Sequence, residues 1–261
     1  QAGRLRQHHQ FGVEVFGAPE ASVDAEIITL AMALFERLKI KNLELNINSI
    51  GCPQCRTKYH HVLKEYLSEN LDELCENCRQ RFEKNPLRIL DCKIDDCKKI
   101  VANVPVILDF LCNECNEHFQ GLQQYLRAAN IDFKVNPMIV RGLDYYTKTV
   151  FEIISNDIGA QGTVCGGGRY DGLVALCGGP ETPGAGFGMG LERLLMVMEG
   201  QKITIPEPKD LDALLITIGD QARYKAFEIV LALRSAGVSV DMGHIGRRIR
   251  AQFKHADRTK V

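Results

Sequence analysis

Apolar positions recur at helical spacing from Asp24 to Leu38. Ile27, Ala31, Leu34 and Leu38 form one stripe, widened by Ile28 and Phe35, which predicts an amphipathic helix. Leu43-Glu44-Leu45-Asn46-Ile47-Asn48 alternates apolar with polar, the two-residue period of a half-buried strand. A similar period from Gln7 to Val15 would place Gln10 and Glu14 on one strand face, with Arg4 and Arg6 sharing a face ahead of them. From Cys52 to about Phe119 the chain turns charged and cysteine-rich, as expected of short helices in an insertion with its own small core. Strand patterns return from Ile131, at 149–154 and at 162–165. Gly166-Gly167-Gly168 reads as a tight backbone feature, with a short helix after Arg169. Phe187-Gly188-Met189-Gly190 reads as a strand running into a helix that carries Leu191, Leu194, Leu195 and Met198. Ile205-Pro206-Glu207-Pro208 has a linker's composition. Beyond it, strand 211–217, helix 221–236, strand 238–241 and helix 246–256 alternate, which implies a βαβα unit with parallel strands.

Composition narrows the classes. At 261 residues the chain can build one large domain or two ordinary ones. Its 45% hydrophobic and 25% charged residues argue against general disorder. A net charge of −1 excludes a global basic field, so contact with nucleic acid must come from a local patch. One candidate patch is the C-terminal strip Arg247, Arg248, Arg250, Lys254, Arg258 and Lys260, which on charge alone reads equally as a solvated helix face. No apolar run approaches the roughly 18 residues of a membrane span. The opening residues also lack the layout of a signal peptide. The expectation is a soluble, cytoplasmic protein with no membrane partner.

Eight of the 10 cysteines fall between Cys52 and Cys115, and six of those form three C-x-x-C pairs. Such spacing points to thiolates held for a metal. Cys52 and Cys55 with Cys75 and Cys78 have the spacing of a tetrathiolate zinc site, and Cys92, Cys97, Cys112 and Cys115 would form a second. Buried free thiols in a small core remain the other reading. Cys165 and Cys177, outside the insertion, are expected to be packing residues.

Arg141-Gly142-Leu143-Asp144-Tyr145-Tyr146-Thr147 packs a cation, a carboxylate and two phenols ahead of a strand. Arginine grips carboxylate or phosphate in a two-pronged geometry, and tyrosine offers a ring wall and a hydroxyl. The mixture suits a pocket for a small zwitterion beside a phosphate; it equally suits a surface turn. Gln10 and Glu14 together could recognise an ammonium group, or simply face solvent.

Taken in order, Gly3-Arg4-Leu5-Arg6-Gln7 with His9-Gln10 and Glu14, RGLDYYTKTVFE at 141–152, GGGRYDGL at 166–173 and GFGMGLERL at 186–194 resemble the bacterial histidyl-tRNA synthetases, a class II aminoacyl-tRNA synthetase family. The resemblance implies an α+β fold, a mainly antiparallel sheet flanked by helices. It implies a catalytic domain over 1–51 and 131–204, a cysteine-rich, mostly helical insertion domain over 52–130, a linker at 205–210 and an α/β anticodon-binding domain over 211–261. It further implies activation of L-histidine with ATP and magnesium, then transfer of the histidyl group to the terminal adenosine of its tRNA, by a homodimer. By matching motif, Gln10 and Glu14 would hold the amino group, and Tyr145, Tyr146 and Tyr170 would line the imidazole pocket. Arg141 would be the catalytic cation, while Arg4, Arg6 and Arg193 would contact ATP. Zinc, if bound, would be structural. The chain is expected to begin inside the family's second motif and to stop within the anticodon-binding domain, and so to be inactive alone; His8 stands where the family usually places a phenylalanine against adenine. The alternative is a regulatory subunit of the same fold that senses histidine without charging tRNA. The intact 141–152 segment and the C-terminal unit weigh against it.

Overall fold

Two-residue alternation builds the sheet, and the apolar half of each strand calls in the helices. The computed structural model describes residues 6–157, 162–205, 210–259 and 261. The chain divides into two units, Gln1–Thr204 and Ile205–Val261.

The first unit contains β1 (Gln10–Phe16), α1 (Ala21–Arg37), β2 (Leu43–Ser49), α2 (Pro53–Ser68), α3 (Glu76–Lys84), α4 (Asp95–Val101), α5 (Asn113–Ala128), β3 (Lys134–Val135), β4 (Thr147–Ser155), β5 (Thr163–Arg169), α6 (Leu173–Leu176), β6 (Gly184–Gly190) and α7 (Leu191–Gly200). Its sheet runs β1-β6-β5-β4-β2-β3. Neighbours are antiparallel except β2 with β3.

Register decides which face each residue takes. Phe11 pairs with Met189 and Val13 with Phe187, and these meet Ile47, Phe151 and Ile153 on the face covered by α1, α5 and α7. That core buries Ile27, Ile28 and Phe35 of α1 and Leu122 and Leu126 of α5, each at most 1% exposed. The stripe read between Asp24 and Leu38 is therefore the core stripe of α1, whose chain leaves through Lys39 at φ 61°. On the opposite face the register lines up Gln10, Gly12 and Glu14 of β1, Gly186, Gly188 and Gly190 of β6, Gly166 and Gly168 of β5, and Glu152 of β4. Glycines in the middle of the sheet leave a trough there.

The Gly166–Gly168 run, read from sequence as a tight backbone feature, is extended strand. All three residues lie inside β5, which continues to Arg169. A Cβ on Gly166 would come within 2.7 Å of the Arg141 guanidinium, so strand backbone lies open here to let that side chain cross the sheet. β1 also starts later than expected, at Gln10, leaving Arg6 exposed in a bend before it.

A second core forms around the insertion and is shared with the sheet side. Tyr59, Leu63 and Leu67 of α2 pack with Leu74, Leu87, Ile89 and Val101. The same cluster reaches Tyr146, Val150 and Tyr170 of the sheet side. α5 leaves this core and returns the chain to the main one.

In the second unit, β7 (Ala213–Leu215) pairs in parallel with β8 (Val240–Met242), and α8 (Asp220–Ser235) supplies Ala226 and Val230 to a small core. α9 (Ile249–Thr259) is attached through Gln252, whose amide donates to Thr217 O at 2.8 Å and accepts from Thr217 N at 3.0 Å. Arg247, Arg248, Arg250, Lys254 and Arg258 are exposed; Lys260 and linker residues 206–209 lie outside the described residues.

Candidate active site

The trough opens into a cavity of about 530 Å³. Gln10, Glu14, Arg141, Tyr145, Tyr146 and Tyr170, which the sequence places in three separate segments, all line it. Gln10 and Glu14 stand two residues either side of Gly12 on the exposed face of β1. A Cβ on Gly186 would land on the Glu14 carboxylate, so this glycine is needed for the acid to lie across the sheet.

β4 has a register shift between Thr147 and Val150, with Lys148 at φ 49°. The bulge turns the segment before it out of the sheet, and Tyr145 and Tyr146 swing over the trough. Their rings lie 4.9 Å apart, and each meets Tyr170 edge-on at 5.9 and 6.2 Å. Tyr146 and Tyr170 are buried, 8% and 5% exposed, yet line the cavity. The Tyr170 hydroxyl donates to the Glu14 carboxylate. Burial pushes the Glu14 carboxyl above its ordinary 4.5. Tyr145 is also raised, first by burial and then by the neighbouring Tyr146.

Arg141 donates from Nη1 to Glu152 Oε1 at 2.6 Å, and Thr163 Oγ1 donates to the other carboxylate oxygen at 3.2 Å. Its guanidinium lies 5.7 Å from the centre of the Tyr146 ring. Its Nε is buried without a hydrogen-bond partner. A held guanidinium lining a cavity is suited to an anion.

Of the arginines assigned to ATP, the described ones, Arg6 and Arg193, do not line this cavity. Arg4 lies outside the described residues, and Arg6 is exposed. Arg193, in the first turn of α7, donates from Nη1 to Thr163 O at 2.7 Å. His8 is exposed and its Nε2 donates to Gln10 Oε1 at 3.2 Å.

Four residues that organise the site went unnoticed in the sequence. Glu192 takes the His9 backbone N–H at 3.1 Å and the His9 ring at 2.5 Å, and the His9 contact holds its carboxyl down to about 2. It thereby ties the segment before β1 to α7. Asp24 and Arg169 form a buried pair behind Tyr170, and Arg56 anchors the 141–146 segment by donating to the carbonyls of Asp144 and Tyr146 at 3.1 and 2.9 Å. A carboxylate inside the apolar stripe of α1 was the available signal for Asp24; partners this distant in sequence left none for the others.

The cysteines converge, but not as spacing suggested. Cys52, Cys55, Cys112 and Cys115 form one group and Cys75, Cys78, Cys92 and Cys97 the other, with the four sulfurs of each within 4.8 Å of one another. The expected pairing of the first four and last four is corrected: the N-termini of α2 and α5, capped by Cys52 and Cys112, meet, bringing the outermost pairs together. Cys165 is packed within β5, and burial pushes its thiol up to about 12. Cys177, expected to be packed, is exposed just after α6.

A mainly antiparallel six-stranded sheet, helices on one face and a cavity lined by arginine, glutamate and tyrosines on the other, is the catalytic fold of the class II aminoacyl-tRNA synthetases. The histidyl-tRNA synthetase family matches residues 1–194, and the chain belongs to that family. It is 57% identical over 258 residues to a histidine–tRNA ligase of Caldanaerobacter subterraneus subsp. tengcongensis, covering 99% of this chain and 62% of the relative. A histidine–tRNA ligase of Clostridium novyi is 56% identical, with 99% and 61% covered. The crystal structure of apo S. aureus histidyl-tRNA synthetase superposes with a TM-score of 0.69 at 37% identity, covering 97% of this chain and 63% of that one. The chain thus spans about 62% of the length of the curated relatives it matches. Among the described residues no helix is long and apolar enough to cross a membrane.

Proposed function

We propose that this chain carries the histidine-activating site of a histidine–tRNA ligase. The observation that carries the reading is the Glu14 carboxylate, hydrogen-bonded to Tyr170, lining one cavity with Arg141, whose guanidinium Glu152 holds. Glu14 and Gln10 take the substrate ammonium, and Tyr145, Tyr146 and Tyr170 surround the imidazole with rings and hydroxyls. Arg141, positioned by Glu152, faces the substrate carboxylate. A carboxylate oxygen attacks the α-phosphorus of ATP, the new O–P bond forms, and pyrophosphate departs with the electron pair of the broken bond. Arg141 stabilises the charge that gathers on the phosphoryl oxygens as this happens. In the second half-reaction the terminal 3′-hydroxyl of the tRNA attacks the activated carbonyl and AMP leaves.

Arg193, with Arg4 and Arg6, would contact ATP. Magnesium would arrive on the nucleotide: among the described residues the only close groups of three or more metal-ligating side chains are the two cysteine sets, and magnesium commonly relies on substrate phosphates plus one or two carboxylates. The exposed cations of α9 suit tRNA phosphates, a contact that weakens as salt rises. The insertion, beside the cavity through Tyr146 and Tyr170, would meet the acceptor end. A homodimer and cytoplasmic location accord with the family.

Titrating L-histidine and L-phenylalanine into the protein calorimetrically tests the pocket. A site built to hydrogen-bond a polar ring should bind histidine and reject phenylalanine, because the apolar ring leaves its polar groups unpaired. Equal binding, or none, would refute the assignment.

A further inference from the structure

The insertion's sequence does not explain how its smaller helices are held. In α3, of sequence Glu76-Asn77-Cys78-Arg79-Gln80-Arg81-Phe82-Glu83-Lys84, Cys78 is the one buried residue. α4 buries only Cys97 and Val101. Helices with so little apolar contact do not dock by burial alone; a 9-residue polar helix is marginal by itself. Two of the three residues they bury, Cys78 and Cys97, are thiols, and those thiols meet.

We infer that the insertion holds two zinc ions in nested tetrathiolate sites. The outer site is Cys52, Cys55, Cys112 and Cys115, and the inner is Cys75, Cys78, Cys92 and Cys97. Zinc–sulfur bonds of about 2.3 Å in a tetrahedron place sulfurs about 3.8 Å apart. Here Cys52 and Cys55 Sγ lie 3.5 Å apart, and Cys75 and Cys92 Sγ 4.0 Å. A disulfide requires about 2.05 Å and joins two sulfurs, whereas each of these groups brings four together.

Backbone geometry directs the positive ends of helix dipoles at the sulfurs. Each C-x-x-C pair opens a helix: Cys52 caps α2, Cys75 caps α3 and Cys112 caps α5. The partial positive charge of a helix N-terminus stabilises an anion there. Backbone N–H groups also donate to sulfur across each group, Cys112 N to Cys55 Sγ at 3.1 Å and Cys75 N to Cys97 Sγ at 3.3 Å. Four thiolates that close take one borderline-soft tetrahedral ion, and zinc suits this without redox chemistry. Binding would couple directly to folding, since the separated thiols of an unfolded insertion form no site.

The two ions have different work. The inner one joins α3 to α4 and so organises the lobe alone. The outer one clamps the root of the insertion, where α2 begins and α5 returns. Arg56, adjacent to Cys55, holds the Asp144 and Tyr146 carbonyls, and Lys148 N donates to Gly51 O at 2.9 Å next to Cys52. Lys148 Nζ also reaches Glu114, between Cys112 and Cys115, at 2.8 Å. Loss of the outer ion would therefore loosen 141–148, while loss of the inner ion would not.

Elemental analysis of chain purified without chelator tests the count, with zinc supplied in the growth medium. Two zinc ions per chain are expected, released together with eight thiolates on titration with a mercurial. Less than half an equivalent of zinc, with freely titrating thiols or with mass spectrometry showing disulfides, would overturn the proposal; bound iron would overturn the choice of metal. Double substitutions test the nesting. Cys55→Ser with Cys115→Ser should keep one ion, and Cys55→Ser with Cys78→Ser should keep none. Sites made from the first four and last four cysteines would give the reverse. Where serine variants fail to fold, Cys115→His and Cys78→His keep a ligand of the right kind, and the wild-type count stands independently. Hydrogen exchange at 141–148 should quicken in the Cys55/Cys115 serine variant and stay unchanged when Cys78→Ser and Cys97→Ser remove the inner ion. No change in the former would refute the clamp.

Discussion

Replacing Arg169 by methionine should destabilise the first unit far more than an ordinary substitution does. Arg169 is completely buried, and its guanidinium is fully engaged. Nε and Nη2 reach Asp24 Oδ1 at 3.0 and 2.5 Å, Nη1 reaches Asp171 and Ala18 O at 3.0 Å each, and Nη2 reaches Glu20 O at 3.2 Å. Asp24, 1% exposed, also takes His118 Nε2 and Thr149 Oγ1 at 2.6 Å each. The cluster joins α1, α5, β4 and the end of β5 immediately before Tyr170. Burial pushes the Asp24 carboxyl up, but the hydrogen bonds from His118 and Arg169 and the charge of Arg169 outweigh it and hold the group below its ordinary 3.8. Removing one partner of a buried pair costs about 3–5 kcal/mol, since it strands the other charge. Against a typical stability of about 5–15 kcal/mol that is about a fifth or more of the total. Urea unfolding followed by tyrosine fluorescence reports the first unit, because Tyr224 is the sole tyrosine beyond residue 204. Arg169→Met should cost about 3–5 kcal/mol, and Asp24→Leu with Arg169→Met should recover about 2 kcal/mol or more, because an apolar pair strands no charge. The sign with pH follows from the depressed carboxyl: Asp24 adds stability above its unfolded pKa, and that contribution disappears as pH falls through the lower folded value. The acid-side slope in wild type should therefore flatten in Asp24→Asn. A loss below about 1 kcal/mol in Arg169→Met, or strict additivity in the cycle, would refute the reasoning.

Other expectations concern the cavity and the thiols. Glu14→Gln should weaken histidine binding by about 10- to 150-fold, the range for a lost charged hydrogen bond; calorimetry checks it, and an unchanged affinity would remove Glu14 from the site. Because burial raises the Glu14 carboxyl, wild-type histidine affinity should begin to fall at a pH above its ordinary 4.5 as the solution is acidified, and Glu14→Gln should lack that limb. Arg141→Ala should slow adenylate formation by about two orders of magnitude or more, measured in single turnover with fold confirmed by circular dichroism. Brief iodoacetamide treatment should label exposed Cys177 well before Cys165, whose thiol burial pushes up to about 12; peptide mapping would show the order.

Much of the fold was legible because its signals are local. The α1 stripe, the alternation in β2 and the βαβα order after residue 210 each come from spacing within a few turns or strands. The glycine trough was not read, although Gly184–Gly190 alternates glycine with larger residues along a strand. Its meaning depends on register: Gly188 beside Gly166 and Gly186 beside Gly168 make a floor only when β5 and β6 pair. The cavity's six residues were legible by motif, since the chemistry of Arg141, Glu14 and the tyrosines is tied to short segments. Their supports were not, because Asp24 with Arg169 and Glu192 with His9 are joined only by tertiary packing. Cysteine spacing announced two metal-sized sets but misassigned them: sequence order favours neighbours, while the meeting of the N-termini of α2 and α5 favours the outermost pairs.

The central claim is that Glu14, Arg141 and the three tyrosines form one histidine-activating site. Histidine-dependent exchange of pyrophosphate into ATP tests it most directly, in a protein carrying this chain at the full length of its relatives. Exchange that requires histidine, and that Arg141→Ala reduces by about two orders of magnitude, is the expected result. Histidine binding without exchange would show a sensor in place of a ligase, and exchange supported equally by another amino acid would contradict the pocket itself.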